Sequence, residues 1–197
     1  MTQRRLRPSQ QRGFTLIETM VAIAIMSVGI MALIAAFGTA VASTNNSQEN
    51  LIAREKAMQA MESVYTARNT QQITFSQIGN VSNGGIFTNG AVQLLCPGPD
   101  GLVNTTDDVS CPANGPCAAG PECVVLPGPD GILGTADDVG LSLGNFKRTI
   151  QINSTMESDG VTVNPTLKQI VVTVSYTTAG TQTPRVYTVN ALISAYR

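Results

Sequence analysis

The sequence predicts an α+β fold in which a long N-terminal helix packs on an antiparallel β-sheet. No proline interrupts the chain between Gly13 and Cys96, so one helix can continue from an apolar segment into an amphipathic one. Three later segments, residues 146–154, 167–177 and 185–196, alternate apolar with polar residues and are rich in Val, Ile, Thr and Tyr. A weaker strand is expected within residues 85–95.

Residues 14–42 are predicted to span a membrane. No charge occurs between Glu18 and Glu49, and the run exceeds the roughly 20 residues that cross a bilayer as a helix. Arginines but no acidic residue precede it, so the positive-inside rule places the N-terminus in the cytoplasm. A cleavable secretory signal ending at residues 40–42 is the alternative, but its apolar region would be shorter and would not contain Glu18.

The segment Arg12-Gly13-Phe14-Thr15-Leu16-Ile17-Glu18 resembles the processing site of type IV prepilins and of the pseudopilins of type II secretion. The resemblance implies that residues 1–13 are a leader. It implies that prepilin peptidase cuts between Gly13 and Phe14 and methylates the new amino group of Phe14. The expected fold is then the type IV pilin fold, and the expected location is the bacterial inner membrane, crossed once, before assembly into a periplasmic pseudopilus or an extracellular pilus.

The presence of Glu18 in an apolar segment requires an explanation, since inserting a carboxylate at mid-membrane depth costs roughly 2.5–3.5 kcal/mol. One reason is a capping box, for which Thr15-x-x-Glu18 has the spacing. The other, implied by the resemblance, is neutralisation of the amine of Phe14 on a neighbouring filament subunit. At about 4 Å and an effective dielectric of about 20, that attraction is roughly 4 kcal/mol.

Residues 43–69 are predicted to form the amphipathic half of the helix. Leu51, Met58, Met61 and Tyr65, with Val64 beside them, recur at helical spacing and predict a buried stripe. The charged residues of this half are expected on the opposite, solvated side: Glu49, Arg54, Glu55, Lys56, Glu62 and Arg68. The headpiece, residues 70–197, follows, and residues 146–148 are expected to be a solvated strand start.

The headpiece contains an insertion at residues 96–139 that carries four cysteines: Cys96, Cys111, Cys117 and Cys123. An even number of cysteines in an extracytoplasmic segment favours disulfides. A zinc site is the alternative, but the spacing lacks a closely spaced Cys pair. Three disulfide pairings are possible. We favour Cys96 with Cys111 and Cys117 with Cys123, because the first then closes around the repeat described next.

The insertion contains a repeat. PGPDGLVNTTDDV at residues 97–109, called loop 1, returns as PGPDGILGTADDV at residues 127–139, called loop 2. Both resemble repeats of bacterial surface proteins that are suspected of binding calcium, and three carboxylates from each loop are candidate ligands for such a hard cation. The candidates are Asp100, Asp107, Asp108, Asp130, Asp137 and Asp138. The alternative is a pair of Asx-type turns whose carboxylates accept local amides.

The composition argues against an enzyme. Histidine is absent and only 13% of residues are charged, so the commonest general base is missing. Residues 140–144, GLSLG, match a nucleophile-elbow pattern, but nothing can activate Ser142 and the segment is expected to be a loop before a strand. The net charge of -1 gives no basic field for nucleic acid.

The sequence therefore favours a minor pilin or pseudopilin, a structural subunit. Its expected partners are other pilin or pseudopilin subunits, prepilin peptidase and an inner-membrane assembly platform. No cofactor is expected with certainty, and calcium is the one candidate. The alternative function is that of a pilus-tip adhesin or ligand-binding module that acts through the insertion at residues 96–139.

Overall fold

The computed structural model describes residues 13–178 and 183–196, so the predicted leader apart from Gly13 lies outside the described residues. The α+β prediction is confirmed. The chain divides into two compact units, Met1–Asn45 and Asn46–Arg197. The elements in chain order are helix α1 (Leu16–Asn69) and strands β1 (Val92–Gln93), β2 (Cys123–Leu126), β3 (Val139–Ser142), β4 (Phe146–Met156), β5 (Val163–Tyr176) and β6 (Arg185–Ser194).

The N-terminal unit contributes the first part of α1. By its length and composition, the helix is long and apolar enough to cross a membrane. Every described residue from Gly13 to Asn45 is exposed. Because apolar surface is driven out of water, this segment requires lipid or other protein subunits around it.

The C-terminal unit is built on a four-stranded antiparallel sheet with the strand order β1-β4-β5-β6. Alternate residues of β4 and β5 face the core, and Ile150 lies opposite Val172 across the two strands. The second half of α1 packs on this core. Strands β2 and β3 form a separate two-stranded sheet within the insertion.

The buried face of the second half of α1 matches the predicted stripe only in part, since Val64 is buried and Tyr65 partly buried as expected. Met61 is buried as expected, but Leu51 and Met58 are exposed. The buried face consists mostly of small residues, which allow a helix backbone to lie close to the surface it covers. Its members are Ile52, Ala53, Ala57, Ala60, Met61, Val64 and Ala67.

Strand boundaries differ from the prediction in the second half of the chain. Strand β5 begins at Val163, before the predicted residue 167, and only two residues of the weak segment 85–95 form β1. The β2–β3 hairpin was not predicted. Ser142 is the last residue of β3, so the expectation that it lies in a loop is wrong.

The predicted solvated strand start is also wrong, because Phe146 and Arg148 are each 1% exposed. Phe146 stacks on Tyr176 with ring centroids 5.1 Å apart. Arg148 Nε donates to Asn104 Oδ1 at 2.9 Å, and its Nη1 lies 3.5 Å from Glu122 Oε1. Partners contributed by distant parts of the chain make burial of this guanidinium tolerable.

Glu122 also binds a second cation, since its Oε2 lies 2.6 Å from Nζ of Lys56. Lys56 was expected on the solvated face, yet its side chain is only 13% exposed. Burial lowers the pKa of Arg148, and the charges of Glu122 and Asp108 oppose that shift. The network joins α1, the insertion and β4.

We expect Glu122→Gln to lower the free energy of unfolding by about 3 kcal/mol, because it leaves a buried guanidinium without its nearest countercharge. The measurement is urea unfolding of the full chain in detergent, followed by circular dichroism. Glu157→Gln is the control, since Glu157 is exposed beyond β4, and its effect should stay within about 0.5 kcal/mol. Equal stabilities for the two variants would contradict the network's role.

Candidate functional site

Gly13, Phe14 and Thr15 precede α1 in extended or irregular backbone, and Phe14 is 80% exposed. The hydroxyl of Thr15 accepts the amide of Glu18 at 3.3 Å, which is half of a capping box. No described residue forms an ion pair with the Glu18 carboxylate. Glu18 lies in the first turn of α1 and is exposed, so its predicted assembly role stays a prediction.

The four cysteines form two disulfides, Cys96–Cys111 and Cys117–Cys123. This is the pairing that the sequence analysis favoured. Sulfurs bonded to each other cannot serve as zinc thiolates, so the zinc alternative is wrong. The first disulfide closes around loop 1, where Cys96 and Val109 also exchange two backbone hydrogen bonds of 3.0 Å.

The carboxylates of loop 1 accept hydrogen bonds from the loop's own groups. Asp100 Oδ1 accepts the amide of Leu102 at 2.8 Å, and Asp108 Oδ2 accepts the amide of Asn104 at 2.8 Å. Asp107 Oδ1 accepts the hydroxyl of Thr105 at 2.6 Å, while its Oδ2 accepts the amide of Asp100 at 3.3 Å. Each aspartate therefore fixes one part of the turn.

Loop 2 repeats these bonds at the equivalent positions. Asp130 Oδ1 accepts the amide of Ile132 at 2.8 Å, and Asp138 Oδ2 accepts the amide of Gly134 at 2.7 Å. Asp137 accepts the hydroxyl of Thr135 at 2.7 Å and the amide of Asp130 at 3.3 Å. The repeat in sequence is therefore also a repeat in structure.

Glycine is required at two positions of each loop. A Cβ at Gly98 would collide with Asp107, and one at Gly128 would collide with Asp137 in the same way. Gly101 and Gly131 have φ values of 66° and 71°, in the left-handed region that favours glycine. The PGPDG pattern is thus explained by backbone geometry.

The hydrogen bonds match the Asx-turn interpretation of the repeats. Among residues 13–178 and 183–196, no group of three or more His, Cys, Asp or Glu side chains is arranged to hold a metal ion. Each of the six proposed ligands accepts a hydrogen bond from an amide or hydroxyl of its own loop, although Asp138 Oδ1 is buried without a hydrogen-bond partner among the described residues. Calcium binding stays a prediction, and its test is given below.

Hydrogen bonding also sets the acidity of the loops. The Thr135 hydroxyl, followed by the Asp130 amide, lowers the pKa of Asp137 below its usual value. In loop 1 the Thr105 hydroxyl lowers the pKa of Asp107. The pKa of Asp108 is instead raised, chiefly because the carboxyl is partly buried.

A cleft of about 420 Å³ opens between the second half of α1 and the insertion. Both disulfides line it, together with Gln59 and Ser63 of the helix and Glu122 of the ion network. Its walls are mostly apolar. The cleft gives the ligand-binding alternative a location.

Residues 8–34 match the prokaryotic N-terminal methylation motif. The match covers the predicted cleavage site, the first turn of α1 with Glu18, and part of the apolar segment. It supports a type IV pilin or pseudopilin subunit, which is a structural protein, and the α+β architecture is consistent with the type IV pilin fold. No curated protein and no solved structure matches the chain.

The residues that sequence reasoning missed are those whose partners are distant in the chain. Arg148, Glu122 and Lys56 form one ion network, but each is separated from its partners by many residues. No local pattern marks them. One difference between the two repeats could have indicated the network: loop 1 has Asn104 where loop 2 has Gly134.

We expect Thr135→Val to raise the pKa of Asp137 toward its usual value, because the hydroxyl that favours the carboxylate is removed. A lowered folded pKa contributes stability above the unfolded value, about 3.9, that is lost as pH falls through the folded value. This contribution should shrink in the variant. Carboxyl ¹³C NMR titration of the full chain in detergent measures it, with Asp107 as the internal control whose pKa should not move.

The calcium prediction is tested by thermal unfolding of the full chain in detergent, with chelator or with millimolar calcium. If the loops bind calcium, we expect a rise in melting temperature, since a ligand at a hundred times its Kd adds about 2.7 kcal/mol. Magnesium at the same concentration is the control, because its octahedral demand suits such loops less well. An unchanged melting temperature in calcium would exclude the site.

Proposed function

We propose that this protein is a minor pilin or minor pseudopilin, a subunit built into a type IV pilus or a type II secretion pseudopilus. The observation that carries the proposal is the match of residues 8–34 to the methylation motif, combined with an apolar helix that is exposed along its whole described length before Asn46. A filament core of packed helices supplies the cover that such a segment requires.

In this proposal the chain enters the inner membrane with its N-terminus in the cytoplasm. Prepilin peptidase cuts between Gly13 and Phe14 and methylates the amine of Phe14. An inner-membrane platform then adds the subunit to the growing filament. The exposure of Phe14 supports this order, because the bond to be cut is accessible in the single subunit.

Glu18 sets the register of assembly in this proposal. Its carboxylate has no ionic partner among the described residues, while processing creates a positive amine one helical turn away on every subunit. Pairing Glu18 with the amine of a neighbour neutralises both charges in an apolar core. The capping bond from Thr15 uses the amide of Glu18 and leaves the carboxylate free for that role.

The minor rather than major assignment is supported by the headpiece. The C-terminal meander of β4, β5 and β6 forms the sheet, and the insertion adds its own hairpin and two disulfides. A subunit with such an addition suits a specialised position. The apolar cleft beside the disulfides favours, as a second candidate, a tip subunit that binds a ligand through the insertion.

We expect Glu18→Val to be cleaved and methylated normally but recovered in sheared filaments at less than about a tenth of the wild-type amount, because the lost pairing is worth roughly 4 kcal/mol. Mass spectrometry of the N-terminus and immunoblotting of filaments measure the two steps in the producing bacterium. Glu18→Asp, which keeps the charge, should restore part of the incorporation. Wild-type recovery of Glu18→Val would refute the pairing.

Deleting residues 96–139 distinguishes the tip-binding candidate from a role in filament assembly. Normal filaments that no longer attach to a surface would favour the binding role. Lost filaments would favour a role in assembly.

A further inference from the structure

The two copies of the repeat share one backbone design but have opposite surroundings. Each closes an antiparallel pair at equivalent positions, Cys96 with Val109 for loop 1 and Leu126 with Val139 for loop 2. Each holds its turn with the same aspartate bonds. The difference therefore lies in what the loops contact.

Loop 1 is docked on its own protein. Leu102 is 2% exposed and Val103 is 8% exposed, and both belong to the hydrophobic core. Asn104 adds bonds to Arg148, and the charge of Arg148 attracts the carboxylate of Asp108. The receiving surface is therefore apolar and contains one buried arginine, Arg148.

Loop 2 presents the same kind of apolar pair to solvent. Ile132 and Leu133, at the positions of Leu102 and Val103, are 60% and 61% exposed. Loop 2 already has the turn of the docked copy, because the four aspartate bonds that shape the turn recur at equivalent positions. A loop that is already ordered in its bound shape loses little entropy on binding.

Charge defines the partner further. Between Glu122 and Lys147 the sequence contains Asp130, Asp137 and Asp138 but no basic residue. The apolar pair is thus surrounded by negative charge. Gly134 replaces Asn104, so loop 2 cannot repeat the side-chain bonds to an arginine and must rely on the apolar pair and the carboxylates.

We propose that loop 2 is a docking element that inserts Ile132 and Leu133 into an apolar depression on a neighbouring subunit, and that this depression also contains an arginine or lysine facing the three aspartates. The identity of the partner as a filament subunit rests on the proposed function. The form of the contact rests on the docked copy of the same loop in this chain.

The first test is photo-crosslinking in the producing bacterium, with p-benzoylphenylalanine at position 133 of the full chain. We expect an adduct with another subunit of the same filament, joined at an apolar peptide that contains arginine or lysine. The control places the crosslinker at position 161, where Val161 is 81% exposed in the β4–β5 connection. An adduct no stronger than the control, one confined to the same chain or to lipid, or one on a peptide without a basic residue would overturn the proposal.

The second test compares Ile132→Ser/Leu133→Ser with the matched pair Val161→Ser/Val163→Ser. The loop 2 variant should be recovered in sheared filaments at least about tenfold less than the control pair, because the buried apolar contact is lost. Its melting temperature should equal that of the wild type, because both side chains are exposed in the single subunit. Equal recovery of the two pairs would overturn the proposal.

The same samples show whether a negative result refutes the docking element or the proposed filament function. The N-terminal mass reports whether the chain is cut before Phe14. A chain that is cut and built into filaments, yet shows neither the adduct nor the loss, refutes the docking element alone. A chain that is never cut or never found in filaments refutes the filament role and, with it, the filament subunit as the partner.

Discussion

The architecture of the headpiece depends on the bonds that the buried guanidinium of Arg148 forms with residues distant in the chain. Arg148 lies on β4, binds Asn104 of loop 1 and faces Glu122, which in turn binds Lys56 of α1. A buried cation without partners would be strongly destabilising. The helix, the insertion and the sheet must therefore keep their relative positions within the C-terminal unit, and the insertion is an integral part of the core.

A second constraint governs the N-terminal unit, and it acts between molecules. Its described residues are mostly apolar and all exposed, so they are not covered by other described residues. Bilayer lipid can cover this surface first and neighbouring helices afterwards. Glu18 is compatible with both environments only if its charge is compensated. The two units therefore differ in burial, since the C-terminal unit has a core of its own and the described residues of the N-terminal unit are exposed.

The extent of sequence-based prediction can be judged from particular residues. The three long strands were predicted because alternation is a local pattern. The buried face of α1 was misjudged, since Leu51 and Met58 are apolar yet exposed, while Ala53 and Ala57 are buried. Phe146 and Arg148 were misjudged for a related reason. A charged residue beside an apolar one suggests a solvated strand start, because the sequence does not show that the fold brings its partners, Asn104 and Glu122, close.

The sequence by itself determined the apolar segment that is long enough to cross a membrane, the methylation motif and the local turn geometry of both repeats. Each of these depends on residues close together in the chain, such as Asp130 and the amide of Ile132. Tertiary structure decided which copy of the repeat is buried. Loop 1 meets Arg148 and the core, whereas loop 2 extends from the β2–β3 hairpin into solvent. Similar sequences share the aspartate bonds that shape the turn, but burial depends on which surfaces the rest of the chain brings near.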